Sequence, residues 1–195
     1  MAILAIVDYD PAWPDQFQRL ATALRQHLDD AAIAIDHIGS TSIPGLAAKD
    51  VIDLQVTVAS LDDADRLASA FERAGYVATP YRQDHQPAGD ASDPGLWQKR
   101  LWQSPPGARR VNVHVRVAGW PNQRYTLLFR DYLRAHPRAA AAYARLKRAL
   151  AERVGDDLAV YTELKDPACD LIIAGAEDWA ASSRIMHGPD PSDRL

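Results

Sequence analysis

The sequence predicts an α+β fold, with a mixed sheet in a first half of about 1–118 and helices in a second half of about 119–181. Three observations carry this. Residues 51–58 and 111–117 alternate apolar and polar side chains with a period of two, as half-buried strands do. Between and before them lie stretches with apolar residues at helical spacing. Beyond Trp120-Pro121 the helical period runs on, broken only at Pro137, Gly155 and Pro167.

Taken in order, residues 3–7 form a short apolar run that suits a first strand, and Asp10-Pro11-Ala12-Trp13-Pro14 breaks it. The next helix presents Phe17, Leu20, Ala21, Leu24 and Leu28 on one face, fit to cover a sheet. Residues 33–38 read as a strand entering the turn Gly39-Ser40, and 42–48 as a short helix or loop interrupted by Pro44 and Gly45. In the strand that follows, Ile52, Leu54, Val56 and Val58 point one way, and Asp53, Gln55 and Thr57 the other. Residues 61–74 make an amphipathic helix closed by Gly75, and 76–78 a short strand. The segment 84–94, rich in Pro, Gly and Asp, reads as a mobile loop rather than a cover over a site. Residues 96–103 and 111–117 are strands joined through Ser104-Pro105-Pro106-Gly107, which favours an antiparallel pair. Helices are expected near 123–135, 138–153, 157–165 and 167–181. Residues 1–181 then make one domain, and 182–195, without apolar periodicity, a disordered tail.

Composition narrows the class. The 195 residues are 47% hydrophobic, enough for a substantial core, and the net charge of −4 gives no general attraction for nucleic acid or an anionic membrane. The one cysteine, Cys169, rules out an internal disulfide and reads as a small buried hydrophobe. No run is long and apolar enough to span a bilayer, and the first residues lack the basic flank of a signal peptide, so a cytoplasmic location is expected. The basic residues comprise 18 arginines and only four lysines, Lys49, Lys99, Lys147 and Lys165. Under such a bias a lysine marks a place where a compact ammonium is wanted.

The chemistry gathers on two strands. If residues 51–58 and 111–117 are neighbours, Asp53, Gln55, Asn112 and His114 share one polar surface beside the Gly39-Ser40 turn. Such a turn lets backbone N–H groups approach a phosphate, and Asp53 can hold the divalent cation that a polyphosphate brings. His114 suits three roles, donating to phosphate, acting as a base near neutral pH, or joining Asp53 at a metal. It also suits a histidine hydrogen-bonded within a polar sheet face. Gln55 stands two residues on from Asp53, where a second carboxylate would face the same way, and as an uncharged ligand is the poorer one. Tyr143 with Lys147, and Tyr161 with Lys165, lie four apart on one helical face. Either a base stacks there while lysine meets phosphate, or each tyrosine packs in the core with the lysine stem along it.

The phrase His37-Ile38-Gly39-Ser40-Thr41-Ser42-Ile43-Pro44-Gly45-Leu46 through Asp53-Leu54-Gln55-Val56 stands together with FRDYLRAHPRAAAAYARLKRAL at 129–150 and Tyr161-Thr162-Glu163-Leu164-Lys165. In this order they closely resemble the GrpB family, from about Ile6 to Trp179. The resemblance implies a nucleotidyltransferase-like fold with a helical C-terminal part, in a family of poorly defined activity whose domain is fused to dephospho-CoA kinase in some bacteria. It carries motif positions onto Gly39, Ser40, Gly45, Lys49, Asp53, His114, Arg130, Asp131, Tyr143, Lys147, Tyr161 and Lys165. Two positions depart from the pattern: Asp50 stands where proline is usual, and Asn112 where the first histidine of a His-x-His pair is common.

These readings lead to one expectation and two alternatives. The expectation is a nucleotide or phosphorylated metabolite bound with a divalent metal (Mg²⁺ or Mn²⁺, or Zn²⁺) at Asp53, His114 and Gln55. Asp53 and His114 are then the candidate catalytic pair of a nucleotidyltransferase, and Gly39, Ser40, Lys49, Arg130, Tyr143, Lys147, Tyr161 and Lys165 contact the ligand. One alternative is a catalytically silent module that binds a protein partner such as a CoA-pathway kinase. The other is metal-assisted phosphoester hydrolysis.

Overall fold

The computed structural model describes residues 4–187. Its centre is a five-stranded mixed sheet of β1 (Ala34–Ile38), β2 (Ile52–Val58), β3 (Val77–Ala78), β4 (Arg100–Gln103) and β5 (Val111–Val117), in the order β1-β2-β5-β4-β3. Only β2 and β5 run parallel; the other pairs, including the expected β4–β5 pair, are antiparallel. The β2–β5 register sets Asp53 opposite Asn112 and Gln55 opposite His114. One sheet face therefore carries the whole polar set.

The opposite face is the main core. Ile52, Leu54, Val56 and Val58 of β2 meet Val111, Val113, Val115 and Val117 of β5 there. Covering them are α1 (Trp13–Leu28), α2 (Leu61–Arg66) and α3 (Ala68–Arg73), through Trp13, Leu24, Leu28, Leu67 and Phe71. Trp13 is fully buried, and its indole N–H donates to Asp50 Oδ1 at 2.8 Å. Asp50 also takes Arg109 at 2.7 Å, so this carboxylate ties the start of β2 to the segment before β5.

A second core joins the segment after the Gly-Ser turn to α4 (Pro121–Ala135), α5 (Pro137–Val154) and α6 (Leu158–His187). Ile43, Leu46 and Ala47 pack there against Leu133, Ala140, Ala144 and Cys169. This holds the turn between the sheet and the helices, with a cleft left between the two.

Several elements differ from the sequence reading. Four helices were expected after Trp120, and the described residues show three, because α6 runs through Pro167. Proline inside a helix costs about 3 kcal/mol. Tyr161, Cys169, Ile173 and Ala176, buried on both sides of it, offset that cost by packing on one face. The same helix continues past residue 181 to His187, since Ala180, Ala181 and Ser182 contain no breaker and the first is Gly188. Of the predicted tail, 188–195 lies outside the described residues, as does residue 3 of the predicted first strand. What remains of that strand is one antiparallel bridge between Val7 and Ala48. The helix expected at 61–74 is divided at Leu67. The strand expected from residue 96 begins only at Arg100, because Asp93 accepts from Gly95 N–H and Pro94 opens a 3₁₀ turn that buries Trp97.

Candidate functional site

A cleft of about 1000 Å³ lies between the polar sheet face and the helical half. Its lining includes Gly39, Ser40, Lys49, Asp53, His114, Tyr143, Lys147, Tyr161 and Lys165. The structure thus brings nine of the eleven sequence-predicted residues to one cavity. Arg130 and Gln55 go elsewhere. Arg130 pairs with Asp131 at 2.7 Å and donates to the carbonyl of His37 at 3.1 Å, so it fastens α4 to β1. Gln55 lies beneath the cleft, fully buried.

The turn is built by glycine. At Gly39, φ is 70° and ψ −176°, a combination open only to glycine, and a Cβ there would stand 2.4 Å from Asp53 Oδ2. The chain then enters a 3₁₀ turn over Ser40–Ser42, and Ser42 Oγ donates to the carbonyl of Gly39 at 2.6 Å. Behind it His37 stacks on Phe17 with centroids 4.6 Å apart, and its Nε2 meets Thr41 Oγ1 at 3.1 Å. His37 orders the turn from outside the cleft.

Around the turn stand three ammonium groups. Lys147 Nζ donates to Ser40 Oγ at 2.8 Å and to the carbonyl of Ala47 at 2.6 Å, and lies 4.7 Å from the centre of the Tyr143 ring. Lys49 Nζ lies 5.1 Å from the centre of the Tyr161 ring. Lys165 donates to Asp166 at 3.2 Å and approaches Cys169 Sγ at 3.2 Å. Both tyrosines are buried with a lysine over the ring, so their faces hold cations in place of a stacked base. Burial, then the nearby charges of Lys165 and Lys49, push the Lys147 ammonium down to about 7. Burial also lowers Lys49. Arg110 lines the same end of the cleft.

Packed against Gly39, Asp53 accepts from Asn112 Nδ2 through Oδ1 at 2.7 Å, and the same oxygen lies 3.6 Å from His114 Nε2. Burial disfavours its charge, but His114, Asn112 and Lys49 outweigh burial and hold the carboxyl below its usual range. Arg116 donates to His114 Nδ1 at 3.3 Å, and a guanidinium can only donate. The single proton of the neutral imidazole is therefore on Nε2, directed at Asp53. Burial, followed by Arg116, pushes His114 down to about 4.

Arg116 is the residue that sequence reasoning passed over. It is buried and donates to Gln55 Oε1 at 2.8 Å and to both oxygens of Asp84, at 2.8 and 3.0 Å. Lys99 adds a contact to Asp84 at 2.6 Å, and Asn122 one at 3.1 Å. Burial opposes the Asp84 charge, but Arg116 and Lys99 overcome it and keep the carboxyl far below its ordinary value. The segment expected to be a mobile loop is thus anchored at its start. His85 Nε2 and the N–H of Ala88 then meet Asp170 of α6 at 2.7 and 3.1 Å. Nothing in the local sequence marks Asp84 as a partner of β5; only the signal that Arg116 shares parity with His114 was available.

A divalent metal, which the fold implies, would need oxygen or nitrogen donors that are free to turn toward it. Gln55 Oε1 already accepts from Arg116 and, at 2.6 Å, from Thr126. His114 has one nitrogen facing Arg116 and the other protonated. Asn112 Oδ1 accepts from Gln103 at 2.9 Å. Among the described residues no three His, Cys, Asp or Glu side chains come together to hold a metal. One carboxylate oxygen, Asp53 Oδ2, remains outside these bonds. This set does not fit a two-metal site, which needs two or three carboxylates.

The histidines give a pH dependence of stability. His37, lowered by burial with help from Arg134 and Arg130, and His114 are both held near 4 when folded, against about 6.5 unfolded. Their neutral forms contribute stability in full above the unfolded value, and it is lost as pH falls from about 6.5 toward 4. Denaturant midpoints are expected to fall steadily across that window, and His37→Asn to remove about half the slope. A flat wild-type profile contradicts this assignment.

Comparison with known proteins shows the family and the fold. A dephospho-CoA kinase of Mycolicibacterium paratuberculosis is 40% identical over 200 residues, covering 93% of this chain and 48% of the relative. The chain therefore spans about half the length of the mycobacterial relatives it matches. A UPF0157 protein of Pseudomonas aeruginosa is 34% identical, covering 95% of this chain and 72% of that protein. Among solved structures, the conserved protein GrpB from Enterococcus faecalis superposes with a TM-score of 0.72 at 33% identity, covering 90% and 99% of the two chains. Cid1 poly(U) polymerase with MgGTP bound reaches a TM-score of 0.50 at 16% identity, covering 75% of this chain and 45% of that one, a likeness of fold. No helix among the described residues is long and apolar enough to cross a membrane. With the family model described as GrpB protein matching residues 3–174, on a nucleotidyltransferase-like α+β fold, this chain belongs to the GrpB family.

Proposed function

We propose that the cleft binds a phosphorylated small molecule, a nucleotide or a phosphorylated metabolite, at the Gly39-Ser40 turn. The observation that carries this reading is the convergence of Lys49, Lys147 and Lys165 on the cleft lined by the turn, where among the described residues Asp166 is the one carboxylate in contact with any of their ammonium nitrogens. Buried cations are costly unless paired, and an anionic ligand is the partner that removes the cost. Ser40 Oγ accepts from Lys147, which leaves its own proton for a phosphate oxygen. The buried Tyr161 hydroxyl, which lines the cleft, has no hydrogen-bond partner among the described residues.

The second carboxylate on this sheet face, Asp36 opposite Gln55, faces Arg130 at 3.8 Å and is not part of the cleft lining, which favours binding over nucleotidyl transfer and argues equally against metal-assisted hydrolysis. A module that presents or senses a ligand for a linked enzyme is the reading that Gln55 supports, and the dephospho-CoA kinase relatives make CoA precursors the first ligands to try. Calorimetry with inorganic pyrophosphate, nucleotides and CoA precursors tests this. Binding is expected to weaken at least tenfold in Lys147→Met, on the scale of one lost charged hydrogen bond of about 1.5–3 kcal/mol. Because an anion raises the Lys147 ammonium above its free value of about 7, affinity is expected to be greatest below that pH and to decline above it. No heat with any of these compounds sinks the reading.

A further inference from the structure

The strand face raises a question that the fold alone does not answer: what supplies positive charge where related folds use metal ions. The acceptors of β2 and β5 beside Asp53, on Gln55, His114 and Asn112, are already engaged, and one residue engages two of them. Arg116 directs Nη1 at Gln55 Oε1 and Nη2 at His114 Nδ1, 2.8 and 3.3 Å away. It is locked there by Asp84, whose two oxygens take Nε and Nη2, and it is 3% exposed. A guanidinium is always charged and presents a rigid fork of donors, so it holds these acceptors permanently.

We propose that the cleft takes its phosphorylated ligand as the free anion, without a divalent metal, the charge being met by Lys49, Lys147 and Lys165 and the strand-face acceptors being held by Arg116. This rests on the phosphate-binding reading above and adds that the ligand is recognised uncomplexed. Three lines converge on it. The amide at Gln55 has both oxygen lone pairs engaged, by Arg116 and Thr126. The His114 tautomer has its proton on the nitrogen nearest Asp53, so a metal bound there would require that proton to move to Nδ1, against the Arg116 donor. A metal-bound histidine needs its second nitrogen to donate, commonly to a carboxylate or carbonyl, and here that nitrogen faces a donor. Finally, the lysines already cluster around the turn where a phosphate would sit, so a divalent ion would add charge where cations are in excess.

Asp53 is then a positioning residue: packed against Gly39, it shapes the turn, and its charge faces the ligand unfavourably. The two schemes therefore predict opposite effects for Asp53→Asn. A metal-dependent site loses binding; a metal-free one tightens by about two- to tenfold as a like charge is removed. The experiment is calorimetric titration of the full chain with inorganic pyrophosphate in excess EDTA, and again with MgCl₂ or MnCl₂, for wild type and Asp53→Asn, with thermal melts confirming that the variant folds. The expected result is binding in EDTA at least as tight as with metal, and tighter binding by Asp53→Asn. Binding that appears only with Mg²⁺ or Mn²⁺ overturns this inference and leaves the phosphate-binding reading standing, as does loss of binding in a folded Asp53→Asn. No binding in either condition overturns both. Should Asp53→Asn not fold, the wild-type comparison of EDTA with metal decides alone.

Discussion

Replacing Arg116 by methionine is expected to lower the unfolding free energy by about 3–5 kcal/mol, the cost of stranding one member of a buried ion pair. The stranded group is Asp84. Arg116 is its bidentate partner, at 2.8 and 3.0 Å, and only the Lys99 ammonium and the Asn122 amide remain after the change. Gln55 Oε1 also loses a donor, and so does His114 Nδ1. For a chain of this size the loss corresponds to a fall of roughly 6–20 °C in the melting midpoint. The double variant Asp84→Leu with Arg116→Met should lose less than the sum of the two single changes, because removing both charges leaves neither uncompensated. Acid adds a second check. The Asp84 carboxyl is held far below its ordinary value, so its contribution is present above the unfolded range near 3.9 and is lost only as pH falls below it. A single variant melting within about 1 kcal/mol of wild type contradicts the role assigned to this pair.

Gly39→Ala should be the most damaging change in the turn, and Gly45→Ala, six residues away, is its control. Both glycines have positive φ, at 70° and 75°. A positive φ by itself costs each about 1–2 kcal/mol, and the extended ψ of −176° adds to that at Gly39. The surroundings separate them. A Cβ on Gly39 meets Asp53 Oδ2 at 2.4 Å, whereas one on Gly45 finds nothing within 4 Å. Asp53 is held from the other side by Asn112, so it has no easy retreat. Gly39→Ala is therefore expected to lose about 3 kcal/mol or more and to abolish pyrophosphate binding by displacing Ser40, while Gly45→Ala keeps binding. Equal losses in stability and binding for the two variants would show that the contact with Asp53 is not what demands glycine.

How much of this was legible beforehand follows from the kind of interaction involved. The alternation in residues 51–58 and 111–117 determined which side chains face the polar side, because strand parity is a local property. It did not say that the two strands run parallel as neighbours. The register that sets Asp53 against Asn112 comes from chain path and core packing. Helical spacing placed Tyr143 by Lys147 and Tyr161 by Lys165; the structure lays Lys147 over Tyr143 but sets Lys49, from the segment after the turn, rather than Lys165 over Tyr161. The second pairing crosses from the sheet half to the helical half and leaves no trace in spacing. Pro167 was read as a helix end because its local cost is real; tertiary burial on one face outweighed it.

By itself the sequence determined the family, the α+β class, the Gly39-Ser40 turn and the polar strand face bearing Asp53 and His114. These are set by short-range periodicity and by residues whose backbone or charge is distinctive. The tertiary structure alone decided what that face can do. Asp84, 32 residues before Arg116, locks the guanidinium onto Gln55 and His114 and so commits the acceptors that a metal would need. Ion-pair partners are chosen by proximity in the folded chain, and proximity across a sheet and a loop is not written in any local pattern.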